Sequence, residues 1–116
     1  MNEKKVIIGY NRRDVKSVRI AEEICAELSV AGYAMLSLRY DDGASGRLRG
    51  AESAETGEGC VCMVTVGGDG SMINHGKRAA VWGIPMLGVN TGRLGFMATL
   101  EPGEIKRIPE LISGEI

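Results

Sequence analysis

A short glycine-rich motif follows an apolar stretch near the middle of the chain. The motif Gly-Gly-Asp-Gly occupies 67–70, directly after the β-branched run "CVCMVTV" at 60–66. Glycines allow a strand-to-helix turn to adopt positive φ and allow a pyrophosphate to approach the backbone. The N–H groups and the dipole at the start of the following helix attract anions. The motif therefore predicts a phosphate-binding loop.

The aspartate in this loop needs a separate explanation, because a carboxylate and a phosphate repel one another. Asp69 can instead serve the nucleophile, by deprotonating or orienting a sugar hydroxyl that attacks a terminal phosphoryl group. The alternative is structural, since Asp beside Gly also forms tight turns and Asp caps helices. The four residues of the motif leave both interpretations open.

Two common phosphate-binding motifs do not fit this loop. A dinucleotide fingerprint would need a glycine where Ile73 stands. A Walker loop needs four residues between its glycines and then Lys-Ser or Lys-Thr, whereas five residues separate Gly70 from Gly76, and Lys77 is followed by Arg78. Lys77 is therefore interpreted as a solvated helix lysine.

A second motif, Asn-Thr-Gly-Arg-Leu-Gly-Phe, occupies 90–96. Together with the loop at 67–70 it resembles the N-terminal domain of the NAD kinase family, which carries both motifs in this order. The loop alone is less specific, since lipid kinases of the diacylglycerol and sphingosine type and phosphofructokinases are similar there. The resemblance covers 60–104 strongly and the first half of the chain loosely.

The resemblance implies a reaction and a set of site residues. Members of the family phosphorylate the 2′-hydroxyl of the adenosine ribose of NAD, with ATP or polyphosphate as donor and Mg²⁺ or a similar divalent cation. The resemblance makes Asp69 the catalytic base or the hydroxyl-orienting group, and assigns no protein metal ligand. The residues it assigns to nucleotide binding are Gly67, Gly68, Gly70, Ser71, Asn74, Asn90, Arg93 and Phe96.

Several of these positions depart from the family pattern or have a second interpretation. Ser71 stands where threonine is usual and keeps its hydroxyl. Asn74 stands where many members carry a basic residue, so a charged phosphate contact is not expected there. Phe96 fits a core position of the sheet nearly as well as a nucleotide contact. His75 is expected at the surface of its helix.

Two strand–helix–strand units are predicted to position the motifs. The strands are predicted at 4–10, 33–38, 60–66 and 84–90. One helix begins after Asp14 and stops at Gly32, and the other runs from Ser71 to Trp82. The predicted fold is α/β, an open, mostly parallel Rossmann-like sheet with helices packed on it. Its carboxyl edge, where ligands bind in such sheets, carries 11–14, 67–71 and 90–93.

The remaining segments carry fewer signals. Residues 41–59 are polar and glycine-rich, which predicts an exposed, mobile loop, with a solvated helical turn as the alternative. Residues 91–100 are predicted to form a turn and a short strand. Two short helices are expected at the end, with Pro102 at a first helical position and the second helix starting near Pro109.

The three cysteines do not form a metal motif. Cys60 and Cys62 are expected on one side of their strand, and all three thiols, including Cys25, are expected to be reduced core residues rather than zinc or redox ligands.

Composition excludes several function classes. A formal net charge of −1 and 4% aromatic residues give no field or stacking surface for nucleic acid. No apolar run approaches the length of a membrane span, which favours a cytoplasmic protein without membrane contact.

The chain is expected to form a single domain over 1–116. The family's second, mostly β domain, with its Asn-Glu motif, has no counterpart here. The chain is therefore expected to be the N-terminal catalytic half of an NAD kinase, inactive alone, whose parent binds NAD and ATP and is a homo-oligomer. The alternatives are the N-terminal domain of a lipid kinase and a non-catalytic nucleotide-binding module.

Overall fold

Five parallel strands form the sheet at the centre of the protein. The computed structural model describes residues 4–11, 13–38, 52–54, 59–91 and 100–113, with only the backbone of 52–54. The strands are β1 (Lys5–Tyr10), β2 (Ala34–Leu38), β3 (Glu52–Ala54), β4 (Cys60–Gly67) and β5 (Met86–Asn90), in the order β3-β2-β1-β4-β5. The predicted open, parallel α/β sheet is confirmed.

Helices cover both faces of the sheet. They are α1 (Val15–Val30), α2 (Asp69–Trp82), a 3₁₀ helix (Pro102–Arg107) and α3 (Ile108–Ser113). Side chains alternate between the two faces of a strand, so the apolar strands feed two cores. The larger core joins one face to α1, the 3₁₀ helix and α3, and the smaller core joins the other face to α2.

The first helix follows its sequence signals. Asp14 is the N-cap of α1, and its carboxylate accepts a hydrogen bond from the Lys16 N–H. The helix ends at Val30, and Gly32 takes a φ of +93° just beyond it, as a terminating glycine does. The core face of α1 comprises Ser17, Ile20, Ala21, Ile24 and Leu28.

The prediction of a loop over 41–59 is wrong at 52–54. These residues form β3, which pairs in parallel with β2 from Leu36 to Leu38. A three-residue edge strand is held by backbone hydrogen bonds and so does not require the apolar side chains on which the sequence prediction depended. Apart from Gly59, the rest of that predicted loop lies outside the described residues.

The expectation that Cys60 and Cys62 share one side of their strand is also wrong. Cys60 pairs with Lys5 and Cys62 with Val6, so Val61 is an extra residue at a β-bulge. The bulge reverses the alternation of side chains: Cys62 lies in the larger core and Cys60 packs against the smaller one.

The end of the chain contains the two short helices that the prolines predicted. Pro102 occupies a first-turn position of the 3₁₀ helix, and α3 begins next to Pro109. Of the short strand predicted within 91–100, the described part is a single parallel bridge between Leu100 and Val89.

The direction of chain growth reverses between β1 and β4. From the central strand β1, the chain builds outward through β2 and β3, then returns to form β4 and β5 on the other side of β1. Loops that follow the two strands at such a point diverge and leave a crevice, where open α/β sheets bind their ligands. Asn11 and the glycine loop are the segments that follow these two strands.

Candidate functional site

Backbone hydrogen bonds join the three predicted loops at the carboxyl edge of the sheet. The Asn11 N–H donates to the Val66 carbonyl at 3.2 Å, and the Thr91 N–H donates to the Gly67 carbonyl at 3.1 Å. Gly67 and Asn90 are register partners in adjacent strands. The start of the second motif therefore lies beside the glycine loop, although the two are separated in sequence by a whole helix.

Gly67 is a structural requirement of the turn. Its φ is +155°, and a Cβ built on it would lie 2.7 Å from both Cβ and Oγ of Ser71. A side chain at this position would meet backbone strain and a steric overlap together. The absence of a side chain allows the first turn of α2 to close against the end of β4.

The helix after the loop begins earlier than its sequence pattern predicts. It starts at Asp69 rather than Ser71, with Gly68 as the N-cap. Asp69 is therefore a partly buried residue of the first helical turn, and the capping role that the sequence left open for it belongs to Gly68. The sequence placed the start of the helix too late because glycine and aspartate are poor helix formers in a helix interior, whereas the first turn tolerates them.

The N-terminus of α2 is left open. Gly68 has extended backbone angles, a φ of −91° and a ψ of −169°, and within the described part of the chain no side chain makes a capping hydrogen bond there. The first-turn N–H groups of a helix have no intrahelical acceptor, so this end presents donors and a positive dipole end. These groups can receive an anion such as a phosphate.

Two of the loop glycines have no structural explanation within the described part of the chain. A Cβ at Gly68 or Gly70 would meet no described atom within 4 Å, and neither residue has a positive φ. A small side chain at either position would thus be compatible with the fold. The space that a Cβ would occupy at each of these positions is open within the described part of the chain.

The other predicted site residues fall into three groups. Ser71 lies on the first turn of α2 against Gly67, and Asn90 is buried at the end of β5. Asn74 is exposed on α2, one turn beyond the loop. Arg93 and Phe96 lie outside the described residues.

Sequence reasoning missed a chain of polar side chains at the same edge. Ser17 Oγ donates to Asp14 Oδ2 at 2.8 Å and lies 3.2 Å from Thr91 Oγ1. Ser17 is fully buried, on the face of α1 that packs against the sheet. A polar residue at a core position of an amphipathic helix, three residues after the cap, was the available signal.

His75 is buried, contrary to the expectation of a surface residue. It is 5% exposed, and a Cβ on Gly9 would lie 2.8 Å from its Nδ1. The imidazole thus packs directly on the bare backbone of β1. Burial, and secondarily the positive charge of Arg78, lowers the pKa of His75 from 6.5 to about 4.

The cysteines have the character of core thiols. Burial raises the pKa of Cys25 to about 11 and that of Cys62 to about 12, and it also raises the pKa of Cys60. Thiols with raised pKa values are poor nucleophiles and poor metal ligands at neutral pH. All three are free.

A parallel sheet whose strand order reverses between β1 and β4, with helices on both faces, is a doubly wound α/β fold, the class that includes many nucleotide-binding domains. The sequence matches the family described as "ATP-NAD kinase N-terminal domain" over residues 6–116. The chain belongs to the NAD kinase family and corresponds to its N-terminal domain.

Individual proteins that are similar in sequence to this chain are also named NAD kinase. The chain is 35% identical over 102 residues to the NAD kinase of Symbiobacterium thermophilum, covering 86% of this chain and 36% of the relative. It is 28% identical over 109 residues to the NAD kinase of Ruminiclostridium cellulolyticum, covering 94% and 38% respectively. With the NAD kinase of Alcanivorax borkumensis the identity is 39% over 69 residues, 59% of this chain and 23% of the relative. The chain thus spans less than two fifths of the length of these relatives.

The described helices could not span a membrane. Within the described ranges, none is both long enough and apolar enough to cross a bilayer.

Proposed function

We propose that the protein to which this domain belongs phosphorylates the 2′-hydroxyl of the adenosine ribose of NAD, giving NADP, with ATP or polyphosphate as donor. The observation that carries the proposal is the open N-terminus of α2, with two glycines that the fold itself does not require. Family membership supports the identity of the substrates.

The geometry of the loop supports separate roles for its N–H groups and for the Asp69 carboxylate. The first-turn N–H groups of α2, which have no intrahelical acceptor, hold phosphate oxygens, while Gly68 and Gly70 leave room for their approach. Asp69 lies on the same turn and is only partly buried, so its carboxylate can reach a hydroxyl beside the phosphates. There it accepts the proton of the attacking hydroxyl, or orients it, as the new O–P bond forms.

The other proposed nucleotide contacts are Gly67, Ser71, Asn74, Asn90, Arg93 and Phe96. Ser71 and Asn90 lie next to the loop and are the two that its geometry supports best. Asn74 is exposed one turn further along α2, where a neutral amide can accept or donate a hydrogen bond without charge.

A divalent cation such as Mg²⁺ fits the oxygen chemistry of this loop. The described residues contain no group of three or more His, Cys, Asp or Glu that could hold an ion by itself. Mg²⁺ is commonly bound through substrate phosphates and waters, so the ion would be held mainly by the phosphates of the donor, and Asp69 keeps its role at the hydroxyl. When bound, the ion neutralises charge on the transferred phosphoryl group.

The wider setting of the activity is also proposed. NAD and ATP are the expected partners, without nucleic acid or membrane, in a cytoplasmic homo-oligomer. The absence of a membrane-spanning helix from the described segments is compatible with this setting. Light scattering of the purified full-length protein measures the oligomeric state directly.

The experiment that tests the catalytic proposal replaces Asp69 in the complete protein. Asp69→Asn keeps the size of the side chain and removes its basic oxygen, so kcat for NAD phosphorylation should fall by roughly 10²–10⁴-fold. Glu23→Gln, an exposed position on α1, removes one negative charge elsewhere and should leave turnover unchanged. Near-normal turnover of Asp69→Asn would refute the catalytic role of this carboxylate.

A second measurement concerns the 116-residue chain by itself. Positioning of two substrates normally requires contacts from several directions, and this chain spans only 36% of the Symbiobacterium relative. We therefore expect no measurable NADP formation by the 116-residue chain. Robust NADP formation by it would show that this domain suffices for the reaction.

A further inference from the structure

Three side chains link the start of α1 to the first residue after β5. Ser17 Oγ donates to Asp14 Oδ2 at 2.8 Å and lies 3.2 Å from Thr91 Oγ1. Ser17 is fully buried, and Asp14 also accepts from the Lys16 N–H at 3.3 Å. The link therefore joins the first strand–helix unit to the second at the carboxyl edge of the sheet.

The direction of each hydrogen bond in this link is determined. A carboxylate only accepts, and a hydroxyl carries a single proton. Because the proton of Ser17 goes to Asp14, the proton between Ser17 and Thr91 must come from Thr91. The Thr91 hydroxyl is therefore left with lone pairs alone, and it can accept a hydrogen bond from a ligand but cannot donate one.

The position of Thr91 brings this acceptor to the glycine loop. Its N–H donates to the Gly67 carbonyl at 3.1 Å, and its side chain is only partly buried. Among the described residues, Ser17 is the sole hydrogen-bond partner of Thr91 Oγ1. The edge thus presents donors at the start of α2 and, beside them, an oxygen that only accepts.

We propose that Thr91 binds a ribose hydroxyl of the nucleotide and that Ser17 is a positioning residue that sets the polarity of Thr91. The inference rests on the proposed function, because it assumes a nucleotide at this edge. An ionised phosphate oxygen has no proton to donate, so an acceptor-only hydroxyl disfavours phosphate and favours the sugar. The ribose is supplied by NAD or by ATP, and the hydroxyl concerned is not the reacting one.

The test pairs protein variants with substrates that lack one hydroxyl each. Thr91→Val removes the hydroxyl and keeps the branched shape, whereas Thr91→Ser is the matched control that keeps the hydroxyl. The substrates are NAD and ATP, NAD analogues deoxygenated in turn at each non-reacting ribose position, and 2′-deoxy- and 3′-deoxy-ATP. The measurement is kcat/KM for NADP formation by the complete protein.

One lost neutral hydrogen bond should lower kcat/KM of Thr91→Val on the natural substrates by roughly 10-fold. With the one analogue that lacks the partner hydroxyl, Thr91→Val and the unsubstituted protein should have the same kcat/KM, because neither protein can form this hydrogen bond. Whether that analogue is of NAD or of ATP identifies the ribose. Thr91→Ser should follow the unsubstituted protein on every substrate.

Ser17→Ala tests the positioning role. This variant removes the acceptor of the Thr91 hydroxyl, so that Thr91 is no longer restricted to accepting. The ratio of kcat/KM for the natural substrate to kcat/KM for the same deoxy analogue should therefore shrink. A purely structural role of Ser17 would not change this ratio. Ser29→Ala, the same substitution at an exposed site of α1, should leave that preference intact. An unchanged preference in Ser17→Ala would refute the positioning role.

The failure of this inference is separable from failure of the proposed function. Suppose that the unsubstituted protein phosphorylates NAD, but that kcat/KM of Thr91→Val is unchanged or falls by the same factor on every analogue. The proposed ribose contact is then wrong, and the kinase proposal stands. If the unsubstituted protein neither binds nor phosphorylates NAD, both are wrong.

Discussion

The two strand–helix units of this domain differ at the point where each helix begins. Asp14 closes the N-terminus of α1 with its side chain, which accepts hydrogen bonds from the Lys16 N–H and from Ser17 Oγ. Gly68 stands at the same point of α2 and offers no side chain. Both helices leave the same edge of the same sheet, so topology does not account for the difference. One helix end is capped by a side chain of the chain itself, and the other, at Gly68, is where we propose that a ligand binds.

The two helices also pack differently. The core face of α1 is mostly aliphatic, with Ile20, Ile24 and Leu28 buried, whereas α2 buries only Met72, His75 and Ala79. The second unit therefore combines the open helix end with the weaker and more polar packing. Functional elements are commonly drawn from the less stable parts of a fold.

The largest expected difference between the units is in their response to acid. The pKa of His75 is 6.5 when unfolded and about 4 when buried, so the unfolded state takes up the proton first as pH falls. The contribution of neutral His75 is complete above pH 6.5 and is lost progressively from there towards pH 4, by about 3 kcal/mol in all. Urea unfolding at a series of pH values measures this loss.

A variant at His75 assigns the acid response to α2. His75→Gln should be less stable than the unsubstituted protein at neutral pH, but it should lose much less stability between pH 6.5 and 4, because glutamine does not titrate. An equal loss in both proteins would place the acid sensitivity elsewhere in the fold.

The next largest effect is expected at the turn that precedes α2. Gly67→Ala adds a Cβ that overlaps Ser71 at a φ of +155°, which should cost about 2 kcal/mol or more of unfolding free energy. Gly103→Ala, in the 3₁₀ helix, meets no described atom and serves as the control. Equal midpoints of denaturant unfolding for the two variants would contradict the structural requirement for Gly67.

A smaller effect is expected at the cap of α1. Asp14→Ala removes a side-chain cap and the acceptor of Ser17, and it should destabilise the protein by about 1 kcal/mol. Asp14→Asn keeps a capping oxygen and should lose only a fraction of that unfolding free energy. The thermal midpoints of the two variants check this order, and a harmless Asp14→Ala would mean that α1 does not depend on its cap.

The sequence predicted the fold well because hydrophobic periodicity and turn residues agreed. The four apolar strands, the cap at Asp14 and the break near Pro109 all appear as expected. β3 was missed since three backbone-paired residues leave no apolar pattern, and the bulge at Val61 was missed because an inserted residue shows only in the pairing of strands.

The candidate site was predictable where a motif was local. The glycine loop and Asn90 were found from their order in the chain, and the structure adds that they are neighbours. Ser17 and Thr91 were not found, since their contact joins residues that are distant in sequence. The burial of His75 depends on the bare backbone at Gly9, which no helix pattern reports.

We propose that the open end of α2 is reserved for a nucleotide, and Gly68→Ser examines this proposal by closing that end. Gly68 already has extended backbone angles and surrounding space, so serine can cap α2 and raise the unfolding free energy by a few tenths, roughly 0.3 kcal/mol. Gly103→Ser is the control with the same substitution. Calorimetric titration of the complete protein with ATP and with NAD should show at least one affinity reduced by roughly 10-fold or more in Gly68→Ser alone, because the new hydroxyl occupies donors that the phosphate needs. A stabilised Gly68→Ser protein that binds both nucleotides as tightly as before would contradict the claim.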